Sequence, residues 1–212
     1  KTTFSEGLFP FSPYAHDTVG PDFGLQTGRM YTLRWPSNPK LGNNSNVCAG
    51  DRTGYMVNSV AQAAGGSERG YIEATSASEI RQTIIDDYQS VTRTVGDLVD
   101  MTGGAKQSQL DSLHTRILQD SDTTSTTYSQ YQGNGRRIIA APINDGGTPL
   151  GVNNRIVGIG AFLLTRTGDY GNGGNQAWCA EYIGCWLQGG KNRCAVGGDQ
   201  NAAGAYVARL VL

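Results

Sequence analysis

The last third of the chain restricts its fold most strongly. Four runs there are rich in β-branched, aromatic and small apolar residues: "RRIIAAPIN" (136–144), "RIVGIGAFLL" (155–164), "AWCAEYIGCWLQ" (177–188) and "AYVARLVL" (205–212). The glycine-rich stretches "DGGTPLG", "GDYGNGGN" and "GGDQNAAG" separate them. Runs of this kind, bounded by Gly, Asn and Asp, read as strands. Parallel neighbours need a crossover of about a dozen residues or more, so these short turns predict an antiparallel arrangement.

Helical periodicity is confined to two upstream segments. In "TSASEIRQTIIDDY" (75–88), Ser76 and Glu79 fit a capping box, and Ile80 and Ile84 lie on one face. In "AKQSQLDSLHTRILQD" (105–120), Leu110, Leu113, Ile117 and Leu118 follow the spacing of an amphipathic helix. "RMYTLRW" (29–35) alternates as a strand does, "VGDLVDM" (95–101) reads as a strand entered by a turn, and "GYMVNSV" (54–60) reads as a short strand, with a helix as its alternative. "PSNPKLGNNSN" (36–46) and "DSDTTSTTYSQYQGNG" (120–135) are polar and turn-like. The predicted class is α+β: an antiparallel β-sheet with a strand-rich C-terminal third, two main helices, and disulfide staples.

Residues 1–24 form an extended, apolar, Pro-rich arm, and residues 25–212 a single α+β domain. Pro10, Pro13 and Pro21 deny the arm a helix. Phe4, Leu8, Phe9, Phe11 and Tyr14 are its candidate contact residues, able to anchor on a core or to add to the edge of a neighbouring sheet.

Charge excludes one class of partner. The net charge is −1 and no run of Lys or Arg exceeds two residues, whereas a nucleic-acid surface needs a basic patch. No apolar stretch reaches the length of a membrane span. With 17% charged residues and 30 glycines, the composition suits a polar, turn-rich extracytoplasmic domain.

Cys48, Cys179, Cys185 and Cys194 form an even set, which in such a domain indicates two disulfides among three connectivities. On a straight strand Cys179 and Cys185 would lie about 20 Å apart and could not bridge. The Gly-Gly of "WLQGGKNR" allows Cys185 and Cys194 to meet locally. The preferred pairs are therefore Cys48–Cys179 and Cys185–Cys194. The spacing does not make zinc knuckles, and only His16 and His114 exist as further soft ligands. Neither histidine lies in a context that suggests a base for a thiol nucleophile.

The remaining candidates for chemistry are carboxylates. Asp86, Asp87, Asp97, Asp100, Asp111, Asp120 and Asp122 read as turns and helix ends before they read as acid–base pairs. Asp86 and Asp87, at an unfavourable helix C-terminus, suggest cation binding as their functional reading. "DSDTTS" (120–125) has some features of a calcium loop, without the Gly and closing Glu of an EF-hand, so a structural calcium is not the favoured reading. "GNGRR" and "GNGGN" complete no phosphate-binding motif, and there is no nucleophile elbow. Glu181, on a predicted core strand, needs a partner, and Arg209 on the last strand is the candidate for a structural ion pair. Asn43-Asn44-Ser45 matches a glycosylation acceptor, a triplet common by chance. No catalytic residue and no cofactor is assigned.

A longer pattern runs through the chain. "GLFPFSPYAHD" (7–17), "YTLRW" (31–35), "GYIEATSASEIRQTIIDDYQ" (70–89), "VGDLVDMTGGAKQSQLDSLHTRILQDSD" (95–122), "GNGRRIIAAPIN" (133–144), "WCAEYIG" and "GAYVARLVL" together resemble the C-terminal extracytoplasmic region of TadG-like proteins, of the TadE/TadG type associated with Flp (Tad) pilus assembly. The resemblance implies an upstream membrane helix, a location outside the inner membrane and no catalytic residues. Cys48 and Cys179 fall within the pattern, whereas Cys185 and Cys194 look like an addition, which favours pairing them with each other.

The expected function is a non-enzymatic extracytoplasmic structural or assembly domain, related to a pilus or surface filament and acting through protein–protein contacts. Self-association through the arm, or through the C-terminal strand, belongs to that expectation. Two rivals come from other classes. A secreted hydrolase would use carboxylates near Glu181 or Asp97. A carbohydrate-binding module would show exposed, coplanar Tyr or Trp rings.

Overall fold

The structure, a computed structural model, describes residues 3–4, 8–40, 44–52, 68–72, 76–86, 93–103, 109–146 and 153–185. In chain order the strands are β1 (Thr3–Phe4), β2 (Met30–Arg34), β3 (Glu68–Ile72), β4 (Arg93–Thr94), β5 (Leu98–Val99), β6 (Met101–Gly103), β7 (Ile138–Asn144), β8 (Asn154–Leu164) and β9 (Trp178–Cys185). Two α-helices, α1 (Ala77–Asp86) and α2 (Leu110–Leu118), lie between β3 and β7. The expected strands at 54–60 and 205–212 lie outside the described residues, as do Asn43, Cys194 and Arg209.

β8 organises the sheet. Its "NRIVGIGAFLL" is β-branched, aromatic and small, and nearly all of it is buried, as a strand covered on both faces requires. β7 runs antiparallel along one edge of β8, from Ile138 opposite Leu163 to Asn144 opposite Ile156. β9 covers the other edge at the C-terminal half, from Gly160 opposite Cys185 to Leu164 opposite Ala180. β5 continues that second edge, with Leu98 opposite Arg155. β2 follows β9, again antiparallel, with Met30 opposite Glu181 and Thr32 opposite Cys179. The antiparallel succession of β7, β8 and β9 is the one the short turns predict.

The N-terminal segment completes the sheet instead of leaving it. Residues 8–15 run parallel to β7, with bridges from Leu8 to Ala140 and from Tyr14 to Asn144, and antiparallel to β3, where Phe11 faces Tyr71. The prolines fit because only their carbonyls are used. Pro10 O accepts from Ile72 N–H at 2.9 Å and Pro13 O from Asn144 N–H at 3.1 Å. Ser12 N–H donates to Gly70 O at 2.8 Å and Phe9 N–H to Ala140 O at 2.7 Å. β3 then meets β2 through Gly70, whose φ is +91° and where a Cβ would stand 2.3 Å from the Leu33 carbonyl oxygen. The sheet thereby curls back on itself.

Both helices pack on one another and turn their apolar faces to the same core. The Ser76 hydroxyl accepts from Glu79 N–H at 3.1 Å, as the capping pattern predicts. Ile80 and Ile84 of α1 and Leu110, Leu113 and Ile117 of α2 are buried with Phe9, Phe11, Ile139 and Trp178. Leu118 departs from expectation and is 65% exposed. At roughly 100° per residue it is rotated away from a face centred between Leu113 and Ile117.

Leu8, Phe9, Phe11 and Tyr14 are all buried in the chain's own core, so of their two expected roles they take that of anchors on a core and do not stand at the surface as contacts. Phe11 packs against Phe9 at 5.2 Å, Tyr71 at 4.6 Å and Trp178 at 5.8 Å between ring centroids. Burial of these four side chains contributes on the order of 6–12 kcal/mol before the entropy of ordering the segment is subtracted. Phe4 belongs to β1, which pairs with β4.

Cys48 and Cys179 form a disulfide, with Cα atoms 5.8 Å apart across a sequence separation of 131 residues. It ties the 44–52 segment to β9. Such a bond belongs to compartments outside the reducing cytoplasm. Among the described residues no cysteine is free, and Cys194, the expected partner of Cys185, is not one of them. No helix of the described residues is long and apolar enough to cross a membrane.

Candidate functional site

The segment between α2 and β7 contains no regular strand or α-helix, yet its backbone is tied by a network of side-chain hydrogen bonds. Its inner layer is built from Asp120, Asp122 and Arg137. Asp120 is buried. Its Oδ1 accepts from Asp122 N–H at 2.9 Å and Asn134 N–H at 3.3 Å, and its Oδ2 from the Tyr131 hydroxyl at 2.5 Å and Arg137 N–H at 2.8 Å. Asp122 organises the next turn. Its Oδ1 accepts from Thr124 and Ser125 N–H, both at 3.1 Å, and its Oδ2 from the Ser125 hydroxyl at 2.5 Å and Gln132 N–H at 3.0 Å. The Ser125 hydroxyl, with the amides of Gln132, Ser125 and Thr124, holds the Asp122 carboxyl well below the usual carboxylate range.

Arg137 lies at the start of β7 with no solvent exposure. Its Nε donates to Leu164 O at 2.9 Å and one terminal nitrogen to Asp122 O at 2.6 Å, while the other reaches Ser125 O. The guanidinium also stands 3.7 Å from the Asp122 carboxylate and 5.6 Å from the centre of the Tyr131 ring. A planar fork with five donors suits this arrangement, and a lysine could not supply it.

Glu181 of β9 provides the fourth anchor. Its Oε2 accepts from Tyr128 N–H at 2.6 Å. Burial raises the Glu181 pKa above its ordinary value, against a smaller lowering by that amide. Glu181 therefore pins the crest of the loop from beneath. Arg209, its expected ionic partner, lies outside the described residues.

On this frame stands an outer layer. Tyr128 is 37% exposed, Ser129, Gln130 and Gln132 are exposed, and Tyr131 is half-buried. The Tyr128 and Tyr131 rings lie 6.5 Å apart with planes at 22°. Asp122 is the only charged residue in 121–135, and its charge is turned inward. The result is an uncharged, hydroxyl- and amide-rich, aromatic surface on a fixed loop.

The "DSDTTS" carboxylates thus receive N–H and O–H donors from the chain itself. Among the described residues no group of three or more His, Cys, Asp or Glu is placed to hold a metal ion.

Other sequence candidates are not brought together. Asp97 accepts from Thr94 N–H at 2.7 Å within its own turn and lies beside Ile156, near the start of β8. Glu181 is opposite Leu163, near the end of that strand. The strand rise puts the two roughly 20–25 Å apart, where carboxylate pairs for glycoside hydrolysis stand about 5–9.5 Å apart. Asp100 accepts from Asn153 N–H at 2.8 Å, and Asp86 and Asp111 are exposed on their helices.

One pairing has no sequence signal. His16 Nε2 and Asp51 Oδ1 are 2.9 Å apart, and Asp51 Oδ2 accepts from Thr32 N–H of β2 at 2.6 Å. Asp51 N–H donates to Cys48 O at 2.9 Å, so the disulfide positions Asp51. The His16 ring meets Tyr31 edge-on at 5.3 Å. The arrangement latches the N-terminal segment, the 44–52 segment and β2 together.

No known protein family, curated protein or solved structure matches the chain. The reading of function therefore rests on the residues.

Proposed function

We propose that this chain is a non-enzymatic extracytoplasmic structural or assembly domain that works by protein–protein contact, of the pilus or surface-filament kind implied by its resemblance to TadG-like proteins. The observation that carries this reading is the 120–137 loop. Tyr is the side chain that gives a large contact area for little conformational entropy, and Ser, Thr, Gln and Asn add adaptable hydrogen bonds. A loop held by buried Asp120, Arg137 and Glu181 loses little further entropy when it binds. The secreted, surface or periplasmic location of the domain belongs to the same proposal.

The test is photo-crosslinking in the cells that express the intact protein, with a benzophenone side chain at Tyr128 and a control at the exposed Asp86. Adducts with envelope or filament proteins are expected from position 128 and not from position 86. Absence of adducts at 128, or equal adducts at both positions, refutes the reading.

The near-parallel Tyr128 and Tyr131 rings favour one second reading, a site for a neutral glycan. It predicts that soluble neutral polysaccharide suppresses the adducts at position 128, while a purely proteinaceous contact is unaffected by it.

A further inference from the structure

We propose that the N-terminal segment 8–15 of one copy of this chain exchanges into the slot between β3 and β7 of a second copy. The partner and the element are additional to the loop contact above, and neither depends on it.

The slot is built wholly from residues remote in sequence. One wall is β7, which bonds Phe9, Pro13 and Ala15 through Ala140 and Asn144. The other is β3, which bonds Ser12 and Pro10 through Gly70 and Ile72. At its floor the Ser12 hydroxyl donates to Pro142 O at 2.8 Å, and the Asn144 amide donates to Ser12 O at 2.9 Å. Nothing local to the segment helps to form the slot, so every copy offers it equally to its own segment or to another's. A strand added between two strands is held by main-chain bonds, and its alternate apolar side chains set its register.

The connection favours opening. Asp17, Thr18, Val19 and Pro21 are exposed, Val19 at 73%. The reversal that follows places Asp22, Phe23 and Gly24 in succession in the left-handed region, at φ 50°, 59° and 71°. Two of these residues carry a Cβ, which that conformation disfavours. The turn is closed by His16 and Asp17 N–H groups donating to Phe23 O at 2.8 and 2.9 Å. When the segment leaves, those two bonds break and the largely exposed residues 17–21 are the part that can extend, while Phe23, buried in the core, and Asp22, which accepts from the Tyr182 hydroxyl at 3.1 Å, hold the far side of the hinge in place. A short strained hinge next to a terminal strand is the setting in which identical chains exchange elements. Reciprocal exchange closes a dimer, and sequential exchange runs into a filament.

Two experiments on the full chain test this. Deleting Thr18–Gly20 shortens the hinge so that the segment cannot turn back into its own slot. Light scattering after gel filtration is expected to show dimers or larger species that keep the wild-type circular dichroism. A folded monomer overturns the proposal, as does a chain that folds at no concentration, because the slot would then refuse a segment supplied by another copy. With the natural hinge, a Ser12→Cys chain is co-refolded with a differently tagged Asn144→Cys chain, since the two side chains are 2.8 Å apart across the slot. The effective concentration of a tethered segment is about millimolar, so the mixed-tag disulfide is expected to rise about tenfold or more between roughly 10 μM and 1 mM chain. A yield that does not rise overturns the proposal.

Discussion

Replacing Arg137 by Met separates the charge of this residue from its bulk. The methionine fills most of the space and donates nothing. Three carbonyls lose their donor: those of Leu164, Asp122 and Ser125. Leu164 is fully buried, and its orphaned oxygen costs about 1–3 kcal/mol. The other two lie nearer the surface, where water restores part of the loss, so each contributes about 0.5–1.5 kcal/mol. The expected destabilisation is about 2–6 kcal/mol, which spans the range found when one partner of a buried polar cluster is removed. Against a domain stability of about 5–15 kcal/mol this is a large fraction. Urea denaturation gives the total. Amide hydrogen exchange shows where it acts, and protection is expected to fall first at Asp122, Thr124, Ser125 and Gln132, whose N–H groups bond to carboxylates held by the cluster. Arg166→Ala is the control, because Arg166 and Asp169 form a similar pair at 3.1 Å with Arg166 half in solvent, and its midpoint is expected to match wild type. A change below about 1 kcal/mol for Arg137→Met, or a loss that leaves the loop amides protected, refutes the claim that buried charge fixes this loop.

Three further outcomes follow from the same structure. Replacing Cys48 and Cys179 together by Ala is expected to lower stability by about 2–5 kcal/mol, because the bond closes a loop with a separation of 131 residues, and an unchanged denaturation midpoint would count against it. Glu181 has its folded-state pKa raised by burial, so the native state binds the proton more tightly than the unfolded state; its contribution is present at low pH and is lost as pH rises from the ordinary value of 4.5 through the raised one. Glu181→Gln keeps an acceptor for Tyr128 and should remove that fall in denaturation midpoints taken across this window; identical pH profiles for the two proteins would show that Glu181 is not desolvated as described. Gly70→Ala forces a Cβ to 2.3 Å from the Leu33 carbonyl at a φ of +91°, which should cost about 3 kcal/mol or more; a melting temperature equal to wild type would mean that β3 does not close on β2 there.

What the sequence made legible is what depends on neighbours along the chain. Ile80, Ile84, Leu113 and Ile117 declare their helices by spacing, and the glycine-rich connections after β7 (145–153) and β8 (165–177) favour antiparallel return. The Cys48–Cys179 bond could be preferred because straight-strand geometry separates Cys179 from Cys185. The loop at 120–137 escaped that logic because its organisation runs from side chain to backbone. An aspartate that accepts amide protons leaves no periodic trace, and Arg137 looks like the polar first residue of a strand until Leu164, Asp122 and Ser125 are seen around it. Glu181 shows the same gap most clearly. A buried carboxylate prompts a search for a cation elsewhere in the sequence, but the Tyr128 amide that answers it has no residue type. The N-terminal segment was legible only in part, for a related reason. Its apolar residues and prolines marked it as extended and adhesive, and both were true. That the surface to which it adheres is its own core depends on Gly70, β7 and the Asp22–Gly24 reversal, which come together only in three dimensions. The same features leave that adhesion transferable, since a slot made without help from the segment's neighbours in sequence carries no record of whose segment fills it.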